Sequence, residues 1–275
     1  MGSKTSKIKH PTSAGAKTVG VPRIPQDIID DILDHLVIDS DFKSLQSCAL
    51  VSKSWVPLCR RYLFHTILFT SRDTAKWLKA FPIPEESPAH HVKDLRFLLG
   101  EFFGAPSRRF SEHIPWFTNV EKMTLSGRGG CLPSWMPLLG RSPRSVTSLI
   151  INMDMVSLAR VRDVLVQLPN LNDLSLSGPL IVVDRSTLPG MGTALGGRFG
   201  GQLRLFNGCA EKDVMNMLLE VPTGLHFTEM HIHGVHKSFL STVRLAEACG
   251  KTLVKLSYAV SIHGKPHPFS WPGRF

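Results

Sequence analysis

The stretch "LNDLSLSG", Leu171 to Gly178, is apolar at Leu171, Leu174 and Leu176, polar in between, and closes on a glycine. That order suits a short strand: alternate side chains enter a core, their neighbours face water, and the glycine permits a tight turn. The pattern recurs in both directions. It is present in "VKDLRFL" (92–98), "VEKMTLSG" (120–127), "VTSLIIN" (146–152), "GQLRLFNG" (201–208), "FTEMHIHG" (227–234) and "LVKLSY" (253–258), with Gly200 at the first apolar place of the fifth copy. The central residues are Leu95, Met123, Leu149, Leu174, Leu203, Met230 and Leu256, at successive separations of 28, 26, 25, 29, 27 and 26.

Those separations match the period of about 20 to 29 residues found in leucine-rich repeats. Parallel strands need crossovers, and helical spacing is visible between the strands in "MVSLARVRDVLVQLP", "EKDVMNMLLEVP" and "SFLSTVRLAEACG", two of them closed by Pro169 and Gly250. Gly127, Gly178 and Gly234 follow the central position by four residues, and Gly100 and Gly208 by five. The expectation is an α/β fold. Residues 91–262 should form a leucine-rich-repeat-like solenoid of about seven repeats, a curved parallel sheet with helices outside, and 263–275 a cap or tail exposing Phe269, Trp271 and Phe275. Regular repeats carry an asparagine past the strand; here Gly100, Arg128, Asp154, Pro179, Gly208, Val235 and Ser261 stand in its place, so the spacing of the repeats should be uneven.

Upstream the composition changes. Residues 1–23 hold Lys4, Lys7, Lys9, Lys17 and Arg23 and no acid, within a Ser/Thr/Gly/Pro-rich run that is expected to be a disordered tail over 1–22. Residues 24–40 hold Asp27, Asp30, Asp31, Asp34 and Asp39 and no base. There Ile24, Ile28, Ile32 and Leu36 recur at spacing four, with Ile29 and Leu33 beside them, a broad apolar stripe of helical period. Pro25 fits the first turn of that helix, and Asp27 lies near its positive end. "KSLQSCALVSKSW", capped by Ser40 or Asp41, and "PLCRRYLFHTILF" give two more short helices. Three helices in so short a span make a very small core that usually leans on a partner.

At these residues the chain resembles the F-box family, specifically the F-box proteins abundant in fungi. The family's opening Leu-Pro-x-Glu appears as Ile24-Pro25-Gln26-Asp27, and its Leu-Val-Ser-Arg-x-Trp as Leu50-Val51-Ser52-Lys53-Ser54-Trp55. The resemblance places an F-box over 23–68, with 69–90 as a linker or helical connection, and the downstream array is similar to the irregular leucine-rich repeats that commonly follow one. It implies docking on the Skp-type adaptor of a cullin-RING ubiquitin ligase. The adaptor-facing residues would then be Ile24, Pro25, Ile28, Ile32, Leu36, Leu50, Val51 and Trp55, some of which must also fill the module's own core.

Candidates for chemistry are few. The glycine-rich Leu188–Gln202 has no Gly-Lys-Ser/Thr and reads as a loop between repeats. His226, His231, His233 and His236 place two histidines on one strand face, too few for a metal without help from elsewhere. The five cysteines contain no Cys-x-x-Cys, which fits a reducing compartment. No nucleophile elbow, zincin helix or kinase loop is present, so no catalytic residues, metal or cofactor are expected. No run approaches the 18 or so apolar residues of a membrane span, so a soluble protein of the cytoplasm or nucleus, without a membrane partner, is expected.

By the strand alternation, the polar positions line the concave face: Asp94, Arg96, Lys122, Thr124, Ser148, Ile150, Asp173, Ser175, Gln202, Arg204, Glu229, His231, Lys255 and Ser257. Of these, Arg96, Lys122, Thr124, Asp173, Ser175, Arg204, His231 and Lys255 are the candidate contacts to a protein target. The expected function is therefore a non-catalytic substrate receptor of an SCF-type ligase. Two alternatives come from other classes. One is a repeat scaffold whose helices merely cap the array; the other is a nucleic-acid-binding solenoid that exploits the net charge of +10.

Overall fold

The computed structural model describes residues 24–39, 41–99, 108–127, 145–153, 156–178, 180–181, 199–206, 212–220, 224–234, 239–262 and 265–270. Three helices come first: α1 (Gln26–Ile38), α2 (Phe42–Val51) and α3 (Val56–Leu63). Pro25 is the N-cap of α1, one place earlier than its expected position inside the first turn. Of the two expected caps for α2, Asp41 takes the role: its carboxylate accepts the Ser44 N–H at 3.1 Å and the Ser44 hydroxyl at 2.5 Å, bonds that hold its pKa below the ordinary value.

The rest alternates strand and helix. In order come β1 (Thr66–Phe69), α4 (Ser71–Ala80), β2 (Asp94–Leu99), α5 (Arg108–His113), β3 (Lys122–Gly127), β4 (Ser148–Met153), β5 (Val156–Ser157) and α6 (Leu158–Val166). There follow β6 (Asp173–Ser177), β7 (Leu180–Ile181), β8 (Phe199–Phe206), α7 (Lys212–Leu219), β9 (Leu225–Gly234), α8 (Phe239–Ala248), β10 (Lys255–Ile262) and β11 (Lys265–Ser270). One sheet runs β1-β2-β3-β4-β6-β8-β9-β10-β11, parallel throughout except for the antiparallel β11, while β5 and β7 form a separate parallel pair. Each step of the large sheet goes to the next of its strands in sequence, the winding expected of a repeat array.

The register is the one that the sequence pattern predicts. Leu95, Met123, Leu149, Leu174, Leu203, Met230 and Leu256 are consecutive partners across seven strands. Their inward side chains meet Trp77 of α4, Phe110 of α5, Val161 and Leu165 of α6, Met215 and Leu218 of α7 and Leu245 of α8 in a single buried cluster. Among the described residues the helices thus cover one face of the sheet and leave the other open.

One boundary differs from the sequence reading, and two readings left open there are narrowed. The segment assigned to the end of the F-box contains β1, whose Ile67 partners Leu95, so among the described residues the parallel strands of the large sheet number eight instead of seven. Phe64, Ile67 and Phe69 repeat the apolar-x-x-apolar-x-apolar order, 28 residues before Leu95 at the centre, a signal hidden by the third helix that runs into it. The 69–90 stretch, read as a linker or helical connection, carries α4, which sends Trp77 into the main core. Within 263–275, read as a cap or tail, β11 pairs with β10 and covers that edge of the sheet. Pro266 and Pro268 lie two apart on β11, so neither offers an N–H to a further strand. The tail over 1–22 and six of the seven positions expected to lack the ladder asparagine, Gly100, Arg128, Asp154, Pro179, Gly208 and Val235, lie outside the described residues, as do Trp271 and Phe275.

In place of an asparagine ladder, backbone carbonyls just before the strands join successive repeats. The carbonyl of His65 accepts the N–H groups of Lys93 and Asp94, that of Lys93 accepts Glu121 and Lys122, that of Glu121 accepts Thr147 and Ser148, and that of Thr147 accepts Asn172 and Asp173, all at 2.8–3.0 Å. Side chains reinforce the joins: Asn119 donates to the His90 carbonyl at 2.7 Å, Ser145 to Val120 at 2.8 Å, Thr228 to Gly201 at 3.1 Å and Thr252 to Phe227 at 3.2 Å. The chain breaks this rhythm at the start of β8. There the Asp173 carboxylate accepts the Gln202 N–H at 2.9 Å, and Gly201 adopts φ +68°, where an added Cβ would stand 2.5 Å from that carboxylate.

Gly178 is the stricter glycine. Its φ is +105°, and a Cβ would stand 1.8 Å from the Met153 carbonyl oxygen of the preceding repeat. Gly178→Ala is expected to cost about 2–3 kcal/mol through backbone strain and displacement, read as a lower urea midpoint at unchanged slope.

At the amino-terminal end of the core, the Trp77 indole N–H donates to Nδ1 of buried His113 at 3.4 Å. Burial holds the His113 pKa below its ordinary value of 6.5, with Glu112 and Glu85 acting weakly in the other direction. The unfolded chain therefore binds that proton more readily than the folded one. Stability is full above the unfolded pKa and falls as pH drops through about 6.5, and protonation also removes the acceptor that Trp77 uses. Melting temperature should decline from pH 7.5 to pH 5, and His113→Gln should flatten the decline.

Candidate interaction surfaces

The helical module has its own core, separate from that of the sheet. Ile29, Leu33, Leu45 and Cys59 are fully enclosed, and Leu36, Val37, Cys48, Ala49, Trp55, Leu58, Tyr62 and Leu63 pack around them. The Tyr62 hydroxyl donates to Asp34 of α1 and accepts from Arg61 at 2.7 Å, which ties the last turns of α1 to α3. The module joins the repeats through Phe64, whose ring meets Trp77 and Phe81 edge-on at 6.3 and 6.2 Å.

The eight predicted adaptor-facing residues divide into two groups. Ile24, Ile28 and Ile32 remain 52%, 45% and 41% exposed although they are large and apolar, and Leu50 and Val51 are 88% and 68% exposed. Pro25 is also exposed. Leu36 and Trp55, in contrast, are half-buried against the module's own core. Successive residues of a helix are rotated by about 100°, so the Ile28 and Ile32 side chains form one stripe while Ile29, Leu33 and Leu36 form the adjacent one. The broad apolar face seen in sequence is thus two faces, one spent on folding and one left in water. Ile38 and Phe42, at the corner between α1 and α2, are further exposed apolar residues that the motif comparison passed over.

All eight predicted target-facing residues lie on the open side of the sheet, alternating with buried ones. In the row nearer the strand starts, Asp94, Lys122, Ser148 and Asp173 are partners, and Gln202, Glu229 and Lys255 continue the line. The next row runs Leu68, Arg96, Thr124, Ile150, Ser175, Arg204, His231 and Ser257. The acids of the first row are engaged within the chain. Asp94 takes both Arg96 Nη2 at 2.6 Å and Nε at 3.1 Å, Asp173 takes the Gln202 amide, and Glu229 lies 3.3 Å from His231 and 3.8 Å from Lys255. Leu68 and Leu98 add exposed apolar side chains at the β1–β2 end, which sequence reasoning did not select. In sequence both stand beside apolar residues, in "TILFT" and "RFLLG", and the pairing of β1 with β2 shows the strand face on which Leu68 lies.

Of the glycine-rich Leu188–Gln202, the described residues 199–202 open β8 and form no phosphate loop. His236 lies outside the described residues, and among those described no three His, Cys, Asp or Glu side chains are grouped to hold a metal. Among the described residues no helix is long and apolar enough to cross a membrane. No protein-family model matches the chain, and no curated protein does either.

Proposed function

We propose that this chain is the substrate-recognition subunit of an SCF-type cullin-RING ubiquitin ligase. In this reading α1–α3 are an F-box that holds a Skp-type adaptor, and the downstream strands and helices are a leucine-rich-repeat-like solenoid that holds a protein target on its open face. The observation that carries it is the apolar surface of Ile24, Ile28, Ile32, Leu50 and Val51, left in water by a module that already has a core. Large apolar side chains left in water in such number are costly on a monomer and fit a place where another protein sits. They fall at the positions where the motif resemblance puts adaptor contacts.

The chain would act by proximity. Holding the target beside a recruited conjugating enzyme raises the effective concentration of the lysine to be modified, without any covalent intermediate on this protein. That role fits the mixed polar open face, where Arg96, Lys122, Thr124, Asp173, Ser175, Arg204, His231 and Lys255 would read the target. The test is capture of a purified Skp-type adaptor by the full chain, compared with a chain whose exposed isoleucines carry charge. Absence of binding by the parent chain would overturn the assignment.

A further inference from the structure

The module's core contains a thiol pair. Cys59 of α3 is completely buried with Ile29, Leu33 and Leu45, and Cys48 of α2 packs against the same cluster. Cys48 stands four residues before Ser52, the C-cap of α2, and Cys59 four residues after Trp55, the N-cap of α3. The Trp55 N–H donates to the Ser52 carbonyl at 3.0 Å and closes the corner between the helices. Four residues are about one helical turn, so the two cysteines lie at matching distances from one tight corner. Packed helices run about 8–10 Å apart, with each Cα about 2.3 Å from its axis. Facing Cα atoms can therefore come within the roughly 7 Å that a disulfide tolerates. Burial, and then the neighbouring Cys48 thiol, push the Cys59 pKa above its ordinary value.

We propose that Cys48 and Cys59 are a reversible disulfide site that locks the α2–α3 corner of the helical module. The half-buried Cys48 is the thiol that reagents reach first. Its thiolate attacks one sulfur of a small disulfide such as oxidised glutathione, releasing one glutathione thiolate and forming a mixed disulfide on Cys48. Cys59 then gives up its proton, attacks the Cys48 sulfur and expels the second glutathione thiolate. Two protein thiols are oxidised, and one glutathione disulfide is reduced to two thiols. Burial of the Cys59 thiol slows the second step in the closed core, and opening of the corner lifts that burial and restores its ordinary thiolate fraction. Leu50 and Val51 sit on the last turn of α2, directly beside the joint. The inference stands whatever partner those residues meet.

The experiment uses the full chain, incubated with oxidised glutathione, alkylated, digested with trypsin and read by mass spectrometry. Cleavage after Lys43, Lys53 and Arg60 separates the cysteines onto peptides 44–53 and 54–60, which the bond would hold together. The expected product is that linked pair, two hydrogens lighter than the separate peptides and released by dithiothreitol. The oxidised chain should also melt at higher temperature than the reduced one. In Cys59→Ala the reaction should stop with glutathione retained on Cys48. Glutathione retained on Cys48 in the parent chain, a link from Cys48 to Cys131, Cys209 or Cys249, or no linked product at all would each overturn the proposal.

Discussion

A chain carrying Ile28→Asp and Ile32→Asp together is expected to lose capture of a Skp-type adaptor by more than about 100-fold while it folds as the parent does. Both side chains are more than two-fifths exposed and lie outside the module's core, so the free protein has little apolar burial to lose at either site. In a complex each aspartate would sit in a desolvated apolar contact without a partner, a cost of several kcal/mol. At about 1.4 kcal/mol per tenfold, two such costs pass a hundredfold in affinity. Leu36→Asp is a poor version of the same test. That residue packs against the core of Ile29, Leu33, Leu45 and Cys59, and a charge there would unfold the module whether or not an adaptor binds. The measurement is a titration of purified adaptor by calorimetry, with circular dichroism spectra and melting curves of both chains as the control. Unchanged affinity in the double variant would place the adaptor elsewhere or remove it.

Phe69→Ala is expected to be among the most damaging single changes to the repeat core. Phe69 is fully buried on β1, with the rings of Phe110, Trp77, Phe97 and Phe117 at 5.0, 5.4, 5.7 and 6.0 Å. Truncating a phenylalanine in so closed a cluster removes its burial and leaves a cavity that rigid rings cannot fill, a cost of about 3–5 kcal/mol. For a chain of this length each kcal/mol shifts the midpoint by about 2–4 °C, so the melting temperature should fall by about 10 °C. The experiment also tests where the sheet begins. If β1 were only the end of a separate helical module, the change would leave the main transition of the repeats unmoved. By the same logic, a chain that starts after residue 70 lacks β1 and should expose the β2 edge.

Much of the fold was legible because a strand writes its two faces into sequence at period two. Val92, Leu95 and Phe97 and their counterparts in the later copies are buried, apart from Gly200 and the half-buried Leu256, and the strand positions between them lie on the open side. The first repeat was missed although Phe64, Ile67 and Phe69 spell the same pattern, since "RRYLFHTILF" reads equally as a helix running on. The carbonyl joins between repeats were not legible at all, because every residue has a carbonyl and only the turn geometry aims it.

The sequence by itself determined the strand register, the alternation of core and open face, and the presence of a helix over the isoleucines and aspartates of α1. Only the tertiary structure decided which isoleucines are free. A broad apolar stripe on one helix shows how much must be covered; α2 and α3 then close over Ile29 and Leu33 and leave Ile24, Ile28 and Ile32 in water. Where the module ends was likewise decided by packing. β1 and Trp77 of α4 belong to the sheet because their apolar area has its partners there, against Phe97, Phe110 and Phe117.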